Sequence, residues 1–139
     1  MRGFAMFDFL NPRDLGRLAV LLFLAILFIQ SSLSKILDYS GNLEYIRGVF
    51  SKTFLAPMVG IMFPVLTALE TLTGLTCAIA AVALVLGEAR PALLGLALAA
   101  LALLSLFKGL RIAGDYPGAA SLAAYFAVVL VGFVLFSLR

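Results

Sequence analysis

Four apolar runs, each about 20 residues or longer, follow one another along this chain, and few folds accommodate that pattern. They cover about residues 15–37, 60–86, 92–112 and 119–138. The hydrocarbon of a bilayer offers backbone N–H and C=O groups no partner. Segments this apolar therefore cross it as helices, which satisfy those groups internally. Composition points the same way: 64% of the residues are hydrophobic and 12% charged, where a soluble domain carries roughly a quarter charged. The expected fold is all-α, an integral membrane four-helix bundle, with residues 1–139 forming a single transmembrane domain. The first run is too long for the core of a signal peptide and lacks a small-x-small cleavage site after it, so it reads as a span.

Local signals mark the ends of these helices. In NPRD, Asn11 is placed to cap, Pro12 suits the first helical position, and Asp14 sits where a capping box has its acid. Pro91 opens the third span after a short connection, and DYPG at 115–118 reads as a turn before the fourth. Between spans one and two, Leu43, Ile46 and Phe50 recur at helical spacing opposite Glu44, Arg47 and Ser51. That pattern predicts a short amphipathic helix on the membrane surface. Phe4, Met6, Phe7, Phe9 and Leu10 place the N-terminal stretch in the interface as well. Two seams of small residues, Gly95–Ala99–Ala102 and Ala119–Ala123–Ala127, are expected to let helices approach closely.

What the chain lacks limits its chemistry. It has no histidine and one cysteine, which excludes the usual His-ligated haem, copper or zinc site and any intrachain disulfide. Cys77 reads as a small buried residue. No nucleophile–base pair, phosphate-binding glycine loop or metal constellation stands out, so neither catalytic residues nor metal ligands are assigned. No basic run interleaved with aromatics suggests nucleic acid. The chain does not look like an enzyme on its own.

The exception to its apolar character is TALETLTGLT, which sets a carboxylate among threonines inside the second span. On a helix Thr67, Glu70, Thr71 and Gly74 share a face. Gln30, Ser31, Ser34, Lys35 and Asp38 share one on span one, Ser105 and Lys108 one on span three, and Tyr125 joins from span four. With a rise of about 1.5 Å per residue, Glu70 lies roughly 5 Å from the bilayer centre, Lys108 roughly 9 Å and Lys35 about 12 Å. All four polar faces fall in one half of the membrane. The candidate intramembrane cluster is therefore Glu70, Lys108, Lys35, Tyr125, Gln30, Thr67, Thr71 and Ser105. A buried carboxylate needs a partner. Depth favours Lys108 as that partner, with Lys35 second and a protonated Glu70 held by the threonines third. The cluster is either a polar staple fixing helix register or a small pocket for a polar headgroup or for protons.

The polar end of span one, SSLSKILD, resembles the G-x-x-K-[LI] signature of the DoxX-like family of small bacterial membrane proteins. Lys35 matches its lysine, and Ser32 stands where that family commonly has glycine. The stretch ALETLTGLTCAIAAVALVLG resembles the same family's second helix, with Glu70, Gly74 and Gly87 at the matching positions. The resemblance implies a four-helix bundle in the bacterial inner membrane. It also implies a link to redox assemblies, since the family includes DoxD, associated with thiosulfate:quinone oxidoreduction, and the related MauE proteins, associated with maturation of a redox enzyme.

Together these readings predict a small non-catalytic accessory subunit, embedded in the lipid bilayer and packed in a larger respiratory or redox membrane complex. The alternative is a quinone-binding membrane subunit of an oxidoreductase, with quinone as the one small-molecule partner and no cofactor held covalently or through metal ligands. With Lys35 and Lys108 counted as intramembrane, five basic residues on the terminal side (Arg2, Arg13, Arg17, Arg90, Arg139) face three on the other (Arg47, Lys52, Arg111). That bias predicts both termini in the cytoplasm.

Overall fold

The computed structural model describes residues 7–138 and is helical almost throughout. Its elements are α1 (Pro12–Leu37), α2 (Tyr39–Val49), a 3-10 turn (Ala56–Met58), α3 (Val59–Val85), α4 (Arg90–Ala113) and α5 (Tyr116–Ser137). The four long helices have 26, 27, 24 and 22 residues, or about 33–40 Å of length, enough to cross about 30 Å of hydrocarbon. They fit a multi-pass membrane protein. The expected all-α four-helix bundle is observed.

The helices form a ring: α1 packs on α3, α3 on α4, α4 on α5, and α5 closes back on α1. Only 17–39% of the residues in each helix's most apolar stretch are buried. Most apolar side chains therefore point outward, as lipid rewards, and the interior is narrow. Leu24, Phe28, Cys77, Leu96, Leu103 and Val129 fill its middle. Cys77 is completely buried, as expected of a small core residue.

Sequence accounts for where each helix stops and starts. Asn11 caps α1 by accepting the Arg13 N–H, with Pro12 in the first turn. Asp14 does not close the expected capping box; its carboxylate accepts the N–H of Asp8 at 3.0 Å and lies near Arg17. Both hairpins use the same device. Gly87 and Gly114 take positive φ (98° and 83°), letting Glu88 N–H reach Ala83 O and Asp115 N–H reach Leu110 O. DYPG is consequently not the turn itself. Asp115 is the cap of α5, accepting the Gly118 N–H at 3.0 Å, and Tyr116 begins the helix.

The expected amphipathic helix between spans one and two is α2: Leu43, Ile46 and Val49 pack on the cluster of Phe50, Leu55 and Val59 at the end of the bundle, while Glu44 and Arg47 stay exposed. One further expectation is corrected. Gly95, Ala99 and Ala102 are buried as expected, but Ala123 and Ala127 face outward; Ala119, Val129 and Gly132 form the buried side of α5. Of the N-terminal stretch, Phe9 and Leu10 are exposed and Phe7 packs beneath Leu21 and Ala80, whereas Phe4 and Met6 lie outside the described residues.

At the α3–α4 hairpin, the Arg90 guanidinium and backbone N–H both donate to Glu88. Those hydrogen bonds draw the Glu88 carboxyl down to about 2. Its folded pKa is depressed, so whatever stability the pair lends is present above the usual carboxylate range and lost as pH falls through about 2. Arg90 is 79% exposed, which keeps that stability small. Arg90→Ala removes the guanidinium but keeps the backbone N–H donor, so it is expected to raise the Glu88 pKa only part of the way to the ordinary carboxylate range in an NMR titration while barely changing the melting temperature.

Close approach of α1 and α3 depends on Gly74. A Cβ there would lie 2.9 Å from the backbone nitrogen of Ile29, which has nowhere to move. At Gly132 an added Cβ would meet only side-chain tips of Leu96 and Val20. Gly74→Ala is expected to cost about 1–3 kcal/mol and Gly132→Ala less, compared by unfolding in mixed detergent micelles.

Candidate functional site

Glu70 sits on the inward face of α3, 1% exposed, one turn from Gly74. Because Gly74 admits the α1 backbone, the last turns of α1 lie directly against this face. A helical side chain leans toward its own N-terminus, so Lys35 reaches back down α1 and into the bundle. Lys35 Nζ donates to Ser31 Oγ at 2.8 Å, and Ser31 Oγ donates to Glu70 Oε2 at 3.1 Å. Nζ also lies 2.9 Å from Glu70 Oε1. That last contact is an ion pair enclosed within the bundle.

The partner of Glu70 is therefore Lys35 and not Lys108. Lys108 is exposed on the outer side of α4. The reason is rotational. Leu106 and Leu110 point inward, and at about 100° per residue a position two away from each lies on the opposite side. Matching depths along the bilayer normal ignored that angle. The buried seam of Gly95, Ala99 and Ala102 already defined the inward side of α4 and excludes Lys108.

The remaining candidates divide. The hydroxyls of Thr67 and Thr71 donate to their own helix, to Phe63 O and Thr67 O at 2.8 Å each. Both residues line a wide outer groove with Pro64, Tyr39 and Leu72, not the space beside Glu70. Gln30 is exposed in a second outer groove, with Leu22 and Ile26. Tyr125 does join Glu70, in the wall of a cavity of about 150 Å³ that also touches Ser31 and Phe28. Ser31, placed by its i, i+4 spacing on the polar face of span one with Lys35, was left out of the candidate cluster.

A larger cavity, about 280 Å³, also borders Glu70 and shares Ser31, Leu106 and Leu122 with the smaller one. Every helix contributes to it: Ser31 and Lys35 from α1, Phe63 and Leu66 from α3, Gly109 from α4 and Leu122 from α5. Ile46 of α2 and the adjacent Phe50 roof it at the membrane surface. Ser105, on α4, is the one exposed residue in its lining. The site thus combines apolar walls and an internal ion pair.

No family model, curated protein or solved structure matches this chain.

Removing either member of a buried ion pair strands the other charge, at a cost of about 3–5 kcal/mol. Lys35→Met is expected to destabilise the bundle by that order, whereas Lys108→Met should stay within about 0.5 kcal/mol. Chemical or thermal unfolding of the two variants side by side in one detergent checks the assignment.

Proposed function

We propose that this chain is a ligand-holding membrane subunit. The cavity beside Lys35, Ser31 and Glu70 takes the polar head of a small lipid-phase molecule, with a quinone as the leading candidate. The observation that carries this is the cavity of about 280 Å³ that all five helices build beside the Lys35–Glu70 ion pair. A staple serving register alone has no need of such a space. The volume lies near the lower end of small-molecule sites, which matches a headgroup more than a whole lipid. On this reading the chain works within a larger respiratory or redox assembly of the bacterial inner membrane, as its likeness to DoxX-like proteins suggests. Catalysis would lie with its partners. The excess of basic residues on the terminal side supports both termini in the cytoplasm, with the cavity in the outer half of the membrane.

A second reading, the purely structural accessory subunit, draws support from one observation. Lys35, Ser31 and Glu70 contact one another without help from outside the chain.

Purification from native membranes in mild detergent, followed by mass spectrometry of proteins and extracted lipids, separates the two. The ligand-holding role predicts a small lipid-phase molecule retained at near-equal stoichiometry and lost in Gly109→Leu. That substitution fills the cavity from a wall position without touching the ion pair. Protein that carries no such molecule, or a Gly109→Leu variant that still retains it, leaves the structural subunit as the function.

A further inference from the structure

One polar side chain of α1 belongs to neither the ion pair nor the cavities beside it. We propose that Gln30 marks an interface between two copies of this chain. They pair through the outer α1–α3 face about a two-fold axis along the membrane normal, amide against amide.

Depth and direction make this amide costly where it stands. α1 runs from Pro12 to Leu37, which puts Gln30 roughly 8 Å from the helix middle, within a hydrocarbon half-thickness of about 15 Å. It lies in the second half of α1, and a helical side chain leans toward the N-terminus of its own helix. The amide therefore leans toward the bilayer centre and away from the nearer surface, and a glutamine is too short to snorkel out as a lysine does. Gln30 is exposed. The side-chain hydrogen bonds at this end of α1 involve Ser31, Ser32, Lys35 and the Ser34 carbonyl, and none among the described residues includes the Gln30 amide. Its two N–H donors and its carbonyl thus face lipid tails, which offer neither donor nor acceptor.

The surroundings supply the rest of a contact. Gln30 stands on a ridge of exposed α1 residues with Leu22, Ile26 and Leu33. Beside that ridge runs the α1–α3 groove, lined by Ala25, Ala78 and Ala81. Small residues let a helix approach closely, and close packing with interhelical hydrogen bonds is what drives association in lipid.

Symmetry selects a second copy as the occupant. Two copies inserted the same way are related by rotation about the membrane normal, so a residue near the axis meets its own counterpart at equal depth. A glutamine amide is self-complementary: each donates an N–H to the other's carbonyl, and the reciprocal bonds close the pair. The face also carries both a ridge and the groove beside it, so each copy seats its ridge in the other's groove. None of these residues lines the cavity beside Glu70, so this interface and the ligand-holding role stand or fall separately.

The test uses the full chain in phosphatidylcholine vesicles. Donor- and acceptor-labelled copies are mixed, and energy transfer is followed as the lipid-to-protein ratio rises. A reciprocal pair of interhelical hydrogen bonds corresponds to about tenfold in association. Gln30→Leu is therefore expected to weaken dimerisation by about that factor and Gln30→Asn, which keeps an amide, by less. Disulfide trapping locates the contact. Ile26→Cys and Ser34→Cys, one turn to either side of Gln30, should each give a covalent dimer under mild oxidation. Leu101→Cys, exposed near the middle of α4, should not, and the completely buried Cys77 adds no background. Copies that stay monomeric at every lipid ratio, or dimers that Gln30→Leu leaves unchanged, overturn the interface. So does trapping at Leu101→Cys in place of the α1 positions. In native membranes, a Ser34→Cys variant that is trapped with a different protein and not with a second copy overturns the choice of partner.

Discussion

A carboxylate that is almost wholly buried in an apolar bundle must be neutralised from within, and the contact between Glu70 and Lys35 is the constraint around which the other features are arranged. It can form only if α1 and α3 lie close enough for a lysine to cross between them. Gly74 provides that closeness by leaving room for the backbone of Ile29. Ser31 then holds the ammonium one turn below its own backbone and passes a hydrogen bond to the carboxylate. Sliding α1 along α3 by a turn would separate the charges, so the pair also sets the register of the two helices. In lipid this matters more than in water, since apolar side chains gain nothing by leaving hydrocarbon for one another.

The cavity follows from the same arrangement. Around Glu70 the ring of helices presents a lysine, a serine and a glycine in place of the large side chains that fill the middle of the bundle. Space therefore remains beside the carboxylate. α2 covers this end of the bundle, its apolar face packed on the cluster of Phe50, Leu55 and Val59.

Much of this was legible in the residues. The four apolar runs required helices, and Asn11, Pro12 and Pro91 gave the starts of two of them to within a few positions, whereas Gly87 and Gly114, which close α3 and α4 at positive φ, were not read as stop signals. The polar faces of α1 and α3, with Glu70 and Lys35 among them, were visible from i, i+4 spacing. The Glu70 partner was misjudged because depth is a one-dimensional quantity, whereas Lys108 is excluded by its angle about α4. The threonines near Glu70 invited a shared network, yet each hydroxyl has a carbonyl of its own helix within reach and uses it. Ala123 and Ala127 looked like a seam because small residues mark close packing only when they face a neighbour.

The sequence by itself determined that the chain is a membrane helical bundle, where its helices begin and end, and that a buried acid needs a basic partner. Those properties depend on hydrophobicity, backbone satisfaction and local capping, all of which act over a few residues. Only the tertiary structure decided which lysine answers Glu70, that Ser31 joins them, that α2 turns its apolar side inward, and that a cavity remains beside the pair. Each of these depends on how helices are rotated and spaced relative to one another. That rotation is settled by the close approach at Gly74 and the ion pair above it, between residues 35 positions apart or more.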